Sequence, residues 1–147
     1  VRMTIIRANG LKAMDVGGGN DPWCRVTLGS ESHNTKVLKG TDPVWPKGTA
    51  DMTFAWGGQD FDDERLRIEV LDKNLLSSEF IGEGWLYLRA LARAGRFEGA
   101  LQLYRRGTKP RGTVTVRVEC EDVARPPTDE ASAHELLEPL PVKVHNN

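Results

Sequence analysis

Two loop-like stretches of the sequence carry oxygen-bearing side chains at close spacing. Asp15 and Asp21 stand at either end of a glycine-rich turn, and Asp72, Asn74 and Glu79 follow a run of apolar residues. Two carboxylates about 4 Å apart repel each other by roughly 4 kcal/mol at an effective dielectric constant of about 20, and a cation would remove that cost. Hard oxygen ligands with no histidine or cysteine nearby favour calcium over zinc. The alternative is that these acids are solvated or cap turns.

Alternating apolar and polar residues predict the elements that position these loops. The pattern is clear at residues 66–70 and 114–120 and recurs near residues 2–8, 22–28, 33–38, 50–56, 80–88 and 100–105, with Gly, Pro, Asp and Asn clusters between the runs. About eight short strands at this spacing predict an all-β fold, an antiparallel β-sandwich. Residues 88–94 favour one short helix, ended by Gly95. Loops at one end of a sandwich gather in space, so the two acidic loops are expected to meet.

The composition changes after Val123. Arg125-Pro126-Pro127 is followed by an acidic stretch and by Pro139-Leu140-Pro141. This pattern predicts one domain over residues 1–123 and a Pro-rich, acidic tail over residues 124–147 that serves as a linker or a docking segment. Because the chain begins at Val1 inside a strand pattern, it is expected to be a piece of a longer protein.

The charge balance limits the classes of partner. Twenty Lys and Arg residues stand against 21 Asp and Glu residues, for a net charge of −1, which argues against a general nucleic-acid binder. The two cysteines, Cys24 and Cys120, fall in strand-like runs and are too few for a disulfide framework or a zinc site. They fit a reducing compartment. The three histidines have no spacing typical of a metal site or a catalytic triad, so no catalytic apparatus is expected.

Several short motifs follow one another in a recognisable order. They are Met14-Asp15 with Gly17-Gly18, Asp21-Pro22-Trp23, Thr35-Lys36-Val37, Asp42-Pro43-Val44-Trp45, residues 66–74, and Phe80-Ile81-Gly82-Glu83. The ordered set, over residues 1 to about 122, resembles the C2 domain, a calcium-and-lipid-binding sandwich of membrane-targeting proteins. The last strand, residues 112–120, comes after the usual closing segment of the family, and this order resembles the circularly permuted type II topology.

The resemblance implies a calcium site in the two acidic loops. Asp15 and Asp21 match the aspartates of the first loop, and Asp72 matches the first aspartate of the third loop. Asn74 stands where the family often has aspartate, and Glu79 takes the last ligand position in a loop that is one residue shorter than the commonest form. The loss of one charge implies a weaker site, for a single calcium ion.

Apolar side chains at the tips of the same loops indicate contact with a membrane. Val16 lies beside Asp15, and Leu75 and Leu76 lie inside the third loop. Fully burying a Val or Leu side chain gives about 1.5–3 kcal/mol, so partial insertion of three tips supports reversible docking. The alternative is that one of the two leucines folds back on the edge of the sandwich.

A second lipid contact in some members of the family is a basic sheet face. The matching positions are Trp23, Arg25, Lys36 and Lys39. Charged residues are also expected on any exposed sheet face, so an ordinary solvated face is the favoured interpretation of this cluster.

The sequence therefore predicts a calcium-dependent phospholipid-binding module, without catalytic activity of its own, that brings a larger cytoplasmic protein to the periphery of anionic membranes. The alternative is a calcium-independent C2 domain that binds a protein partner or scaffold through its sheet face or tail.

Overall fold

The computed structural model describes residues 1–13, 20–55, 65–74, 77–105 and 109–120. These residues form eight β-strands and one α-helix. The elements are β1 (Arg2–Asn9), β2 (Pro22–Leu28), β3 (Glu31–Asn34), β4 (Asp51–Thr53), β5 (Arg65–Lys73), β6 (Ser78–Tyr87), α1 (Leu88–Ala94), β7 (Arg96–Arg105) and β8 (Lys109–Glu119). The predicted all-β class with eight antiparallel strands is confirmed. The predicted boundary after residue 123 and the tail over residues 124–147 lie outside the described residues.

The strands form two four-stranded layers. The order is β3-β2-β5-β6 in the first layer and β7-β8-β1-β4 in the second. In the described part of the chain, the pair Glu83 and Tyr104 joins β6 to β7, so the ladder almost breaks between the layers and lets them face each other. β8 pairs with β1 on one side and with β7 on the other. The assignment to the type II topology stays a prediction.

The two layers share one apolar core. Side chains from the first layer, including Val26 and Ile68, and from the second, including Ile5 and Val116, belong to the same buried cluster. All four are fully buried. Strand alternation produces this arrangement, since β2 buries every second residue along its whole length. The apolar positions in the sequence therefore identified the inner faces of the sheets.

The third predicted strand differs from the observed one. The prediction placed it at residues 33–38, whereas β3 ends at Asn34. Beyond it the hydroxyl of Thr35 accepts a hydrogen bond from the Cys24 N–H at 2.8 Å, in place of a backbone carbonyl. A side-chain acceptor of this kind ends the regular ladder. The chain nevertheless stays beside β2, because the Leu38 N–H donates to the carbonyl of Pro22 at 2.9 Å.

The helix is the predicted one, and the strand after it starts earlier than predicted. α1 buries Leu88 and Leu91 and ends at Gly95, whose N–H donates to the carbonyl of Leu91. β7 begins at Arg96 rather than near residue 100, because β8 is long enough to pair with it from that residue onward. Because Arg96 and Glu98 are charged, the first residues of β7 do not form an apolar run, and the sequence pattern does not predict them as strand.

Candidate functional site

The end of the first acidic loop docks against the end of β5. The N–H of Asp21 donates to Asp72 Oδ1 at 2.7 Å, and the N–H of Lys73 donates to the carbonyl of Asp21 at 2.9 Å. Asp21 and Asp72 are 51 residues apart in the chain. The fold therefore brings together the two acidic loops as predicted. Asp15 and Val16 lie outside the described residues.

Asp72 occupies a core-facing position at the end of its strand. Opposite β2, the pairs Ile68 with Val26 and Val70 with Cys24 continue into the pair Asp72 with Pro22, so Asp72 belongs to the inward row of β5. Its side chain is fully buried. A buried carboxylate is costly unless hydrogen bonds or a positive charge stabilise it, and the Asp21 N–H supplies one such bond.

Asn74 and Glu79 face each other across the hairpin between β5 and β6. Asn74 Nδ2 donates to Glu79 Oε1 at 2.6 Å, and the N–H of Asn74 donates to the carbonyl of Ser77 at 2.7 Å. Glu79 pairs in register with Asp72, after a shift in the ladder that leaves Ile81 without a partner residue on β5. Such a bulge re-aims the side chains that follow it. Leu75 and Leu76 lie outside the described residues.

Lys39 lies at this same end of the domain, beside Asp21. Lys39 Nζ is 3.2 Å from Asp21 Oδ1. The side chain of Lys39 is 89% exposed and that of Asp21 is 38% exposed, so the contact is a surface ion pair. From the sequence Lys39 belongs with the basic sheet face, and nothing there signals this contact, because the two residues are 18 positions apart and no continuous strand or helix joins them.

Trp23 and Arg25 lie on the outer face of the first layer. The guanidinium carbon of Arg25 is 5.2 Å from the centroid of the Trp23 ring, and Trp23 Nε1 donates to Ser78 Oγ at 3.1 Å. Arg25 and Arg67 both contact Glu69, at 3.7 and 3.4 Å respectively. This face thus carries a carboxylate of its own beside the two arginines, which fits the ordinary solvated face favoured from the sequence.

The remaining basic residue of the predicted lipid-headgroup set is Lys36. It is exposed, and its carbonyl accepts a hydrogen bond from Trp45 Nε1 at 3.0 Å. The four predicted residues therefore divide between different surfaces, with Trp23 and Arg25 on the sheet face and Lys39 at the acidic loops.

The donor chemistry at the loop end suits calcium. Asp21, Asp72, Asn74 and Glu79 offer carboxylate and amide oxygens, the ligands that calcium prefers in proteins. A cation, the ammonium of Lys39, already contacts one of these carboxylates. Within the described residues, however, no group of three or more His, Cys, Asp and Glu side chains is assembled closely enough to hold a metal ion. The described residues therefore match a calcium site in donor type and supply only part of its ligands.

Comparison with protein families identifies the fold. The model of the C2 domain family matches residues 1–103. Because this match covers well over half of the chain, the chain belongs to the C2 domain family.

Individual relatives agree with the family assignment. Rabphilin-1 of Caenorhabditis elegans is 35% identical over 98 residues, which are 62% of this chain and 8% of that protein. A C2 and GRAM domain-containing protein of Arabidopsis thaliana is 36% identical over 84 residues, which are 56% of this chain and 8% of that protein. The chain thus matches only a small part of the length of these relatives.

Solved structures show the same architecture. A single C2 domain of a plant extended synaptotagmin 1 superposes with a TM-score of 0.68 at 25% identity, covering 79% of this chain and 88% of that chain. A pair of C2 domains from extended synaptotagmin 2, in a calcium-bound form, gives a TM-score of 0.68 at 21% identity, covering 80% of this chain and 44% of that chain. The second likeness shows the fold alone.

Among the described residues, no helix is both long enough and apolar enough to cross a bilayer.

Proposed function

We propose that this C2 domain binds anionic phospholipid membranes in a calcium-dependent manner and thereby brings a larger protein to the membrane surface. The observation that carries the proposal is the contact between the two acidic loops, in which the N–H of Asp21 donates to the buried carboxylate of Asp72. Carboxylates gathered at one end of the fold repel anionic lipid until a cation neutralises them. Calcium supplies that cation and bridges protein and headgroup oxygens.

The proposed ligands are those predicted from the sequence. Asp21 contacts Asp72 through its backbone N–H, Glu79 pairs in register with Asp72 and bonds to Asn74, and Asp15 is expected to complete the set. The mutual hydrogen bond between Asn74 and Glu79 must open, or the carboxylate must use its second oxygen, for Glu79 to bind the ion. A weak site for one ion follows from this rearrangement and from the missing charge at position 74.

The apolar loop tips supply the second part of membrane binding. Val16, Leu75 and Leu76 remain the residues proposed to insert between lipids, and neutralised loops allow them to approach. Stable attachment takes two signals of this kind. The domain itself is proposed to be non-catalytic and to act at the cytoplasmic periphery of the membrane.

The names of relatives give independent support for a role at membranes. One of them is the multiple C2 domain and transmembrane region protein 8 of Arabidopsis thaliana, 32% identical over 79 residues. The matched portion is 8% of that protein, so the rest of its activity does not transfer to this chain.

A calcium-independent protein-interaction domain is the second candidate. The observation in its favour is that Lys39 already pairs with Asp21, while Asn74 and Glu79 pair with each other. These contacts partly satisfy the acidic loops without a metal. In this alternative the sheet face around Trp23 and Arg25, or the tail, binds a protein partner.

Sedimentation with lipid vesicles separates the candidates. Wild type is mixed with vesicles containing phosphatidylserine, in calcium or in chelator, and the Asp72→Asn variant is compared with it. Calcium is expected to promote sedimentation of wild type. In the variant the calcium concentration at half-maximal binding is expected to rise by about tenfold or more, because the buried ligand loses its charge.

A matched variant controls for the loss of one negative charge. Asp51→Asn makes the same change on β4, in the other layer, where Asp51 Oδ1 accepts a hydrogen bond from Thr4 Oγ1 at 2.7 Å. It should sediment like wild type. Binding of wild type that ignores chelator would reject the calcium bridge, and failure to sediment in both conditions would reject membrane binding.

A further inference from the structure

The backbone places Lys39 directly opposite Asp21. The N–H of Leu38 donates to the carbonyl of Pro22 at 2.9 Å, and the N–H of Gly40 donates to the carbonyl of Asn20 at 2.7 Å. These bonds join the residues on either side of Lys39 to the residues on either side of Asp21. In an antiparallel arrangement of this register, the central pair has its side chains close together. The ion pair is therefore a consequence of how the chain segments are aligned.

Asp21 is fixed on its other side by β5. Its N–H donates to Asp72 Oδ1, and its carbonyl accepts from the N–H of Lys73. Asp21 thus contacts a positive charge through its carboxylate and the buried carboxylate of Asp72 through its backbone N–H. Because the Lys39 side chain is almost wholly exposed, its ammonium can leave Asp21 without disturbing the core.

We propose that Lys39 is a resident counter-cation of Asp21, and that calcium must displace it to bind the acidic loops. Lys39 therefore lowers the calcium affinity of the domain and sets the concentration at which it responds. The physical reason is that the ammonium and the calcium ion repel each other, and both require the same carboxylate. This inference rests on the proposed function, since it assumes that calcium binds at Asp21.

The variant Lys39→Met tests the inference, because it keeps a flexible side chain of similar length and removes the charge. Calorimetric titration with calcium chloride is expected to show about two- to fivefold tighter binding than wild type, the range that corresponds to losing one surface ion pair. The rise in the thermal unfolding midpoint caused by calcium should also be larger in this variant.

Three further variants show whether the effect comes from the contact with Asp21. Lys47→Met removes an exposed lysine eight residues later and should leave the calcium affinity unchanged. Lys39→Arg keeps the charge and should bind calcium like wild type. In an Asp21→Asn background, Lys39→Met should no longer tighten binding, because the carboxylate over which the cations compete has gone.

The outcomes distinguish this inference from the proposed function. Calcium binding that is equally strong in wild type and Lys39→Met would overturn the inference and leave the proposed function standing. Binding by Lys39→Met but not by wild type would support the inference and reject calcium dependence for the natural chain. If neither binds calcium chloride at about 10 mM, beyond the weak range for protein sites, both fail.

Discussion

Asp72 is a charged residue in a position that sheet alternation gives to apolar residues. It follows Ile68 and Val70 on the inner face of its strand and is fully buried. Its carboxylate is hydrogen-bonded by the backbone of the other acidic loop. At the scale of single residues, the loop end is therefore a place where burial and charge conflict, and such conflicts are typical of functional sites.

Another carboxylate at this end of the domain fastens the start of the first loop. The N–H of Gly10 donates to Asp42 Oδ1 at 2.7 Å, and this bond holds the pKa of Asp42 below its ordinary value. A lowered pKa in the folded state means that the bond adds stability above the unfolded pKa of about 3.9 and loses it as the pH falls through the lower, folded value.

The variant Asp42→Ala should therefore be less stable than wild type at about pH 6, and the difference should shrink towards about pH 3. Urea unfolding at both pH values measures it. Asp42→Asn is the control, because its amide oxygen can accept the Gly10 N–H in both conditions. A destabilisation by Asp42→Ala that does not change with pH would contradict this account.

The hairpin between β5 and β6 decides the arrangement of the third loop at the scale of elements. The shift in the ladder at Ile81 brings Glu79 opposite Asp72, and the bond from Asn74 to Ser77 closes the turn. The bulge in β6 thus sets which of its residues lies opposite the end of β5. The register of two strands, rather than any single residue, aligns Glu79 with Asp72.

β8 packs closely against the end of β1 at Gly112, and this contact predicts the effect of adding a side chain there. Gly112 has a φ of 106°, and a Cβ there would lie 2.5 Å from the carbonyl oxygen of Asn9 and 2.7 Å from that of Gly10. Both obstacles are backbone atoms of β1 and the residue that follows it. Gly112→Ala should lower the free energy of unfolding by about 3 kcal/mol or more, since clash adds to backbone strain.

Gly48→Ala is the matched control for strain alone. Gly48 has a φ of 83°, but a Cβ there would meet no described atom within 4 Å. Its substitution should cost about 1 kcal/mol in urea unfolding. An equal loss of unfolding free energy at the two glycines would show that the contact between β8 and the end of β1 leaves room for a Cβ.

Trp45 connects the two layers at the scale of the whole molecule. Its backbone N–H donates to the carbonyl of Ile6 in β1 of one layer, and its Nε1 donates to the carbonyl of Lys36 beside β2 in the other. The residue is 3% exposed. One residue, through its backbone and its side chain, thus links the two layers next to the segment that carries Lys39.

Removing the indole N–H while keeping an aromatic ring tests this connection. Trp45→Phe should cost about 1–3 kcal/mol in chemical denaturation, because a carbonyl at the rim loses its donor and the smaller ring leaves space. Trp23→Phe is the control, since Trp23 Nε1 donates to an exposed hydroxyl, and a change within about 0.5 kcal/mol is expected. A similar cost at both positions would contradict the role of Trp45 in joining the layers.

Local patterns in the sequence predict the class of fold, the number of strands and the two acidic loops. Strand alternation and turn residues are local signals, so Val26, Ile68 and Val116 could be assigned to the core from their spacing alone. The order of short motifs identified the family. The tertiary structure decided which charges meet. Lys39 faces Asp21, and Glu79 pairs with Asp72 and contacts Asn74, because of strand register, a bulge and long-range backbone bonds. The contact of Lys39 with Asp21 joins segments 18 positions apart, and the place of Glu79 depends on a bulge, so neither leaves a periodic pattern in the sequence.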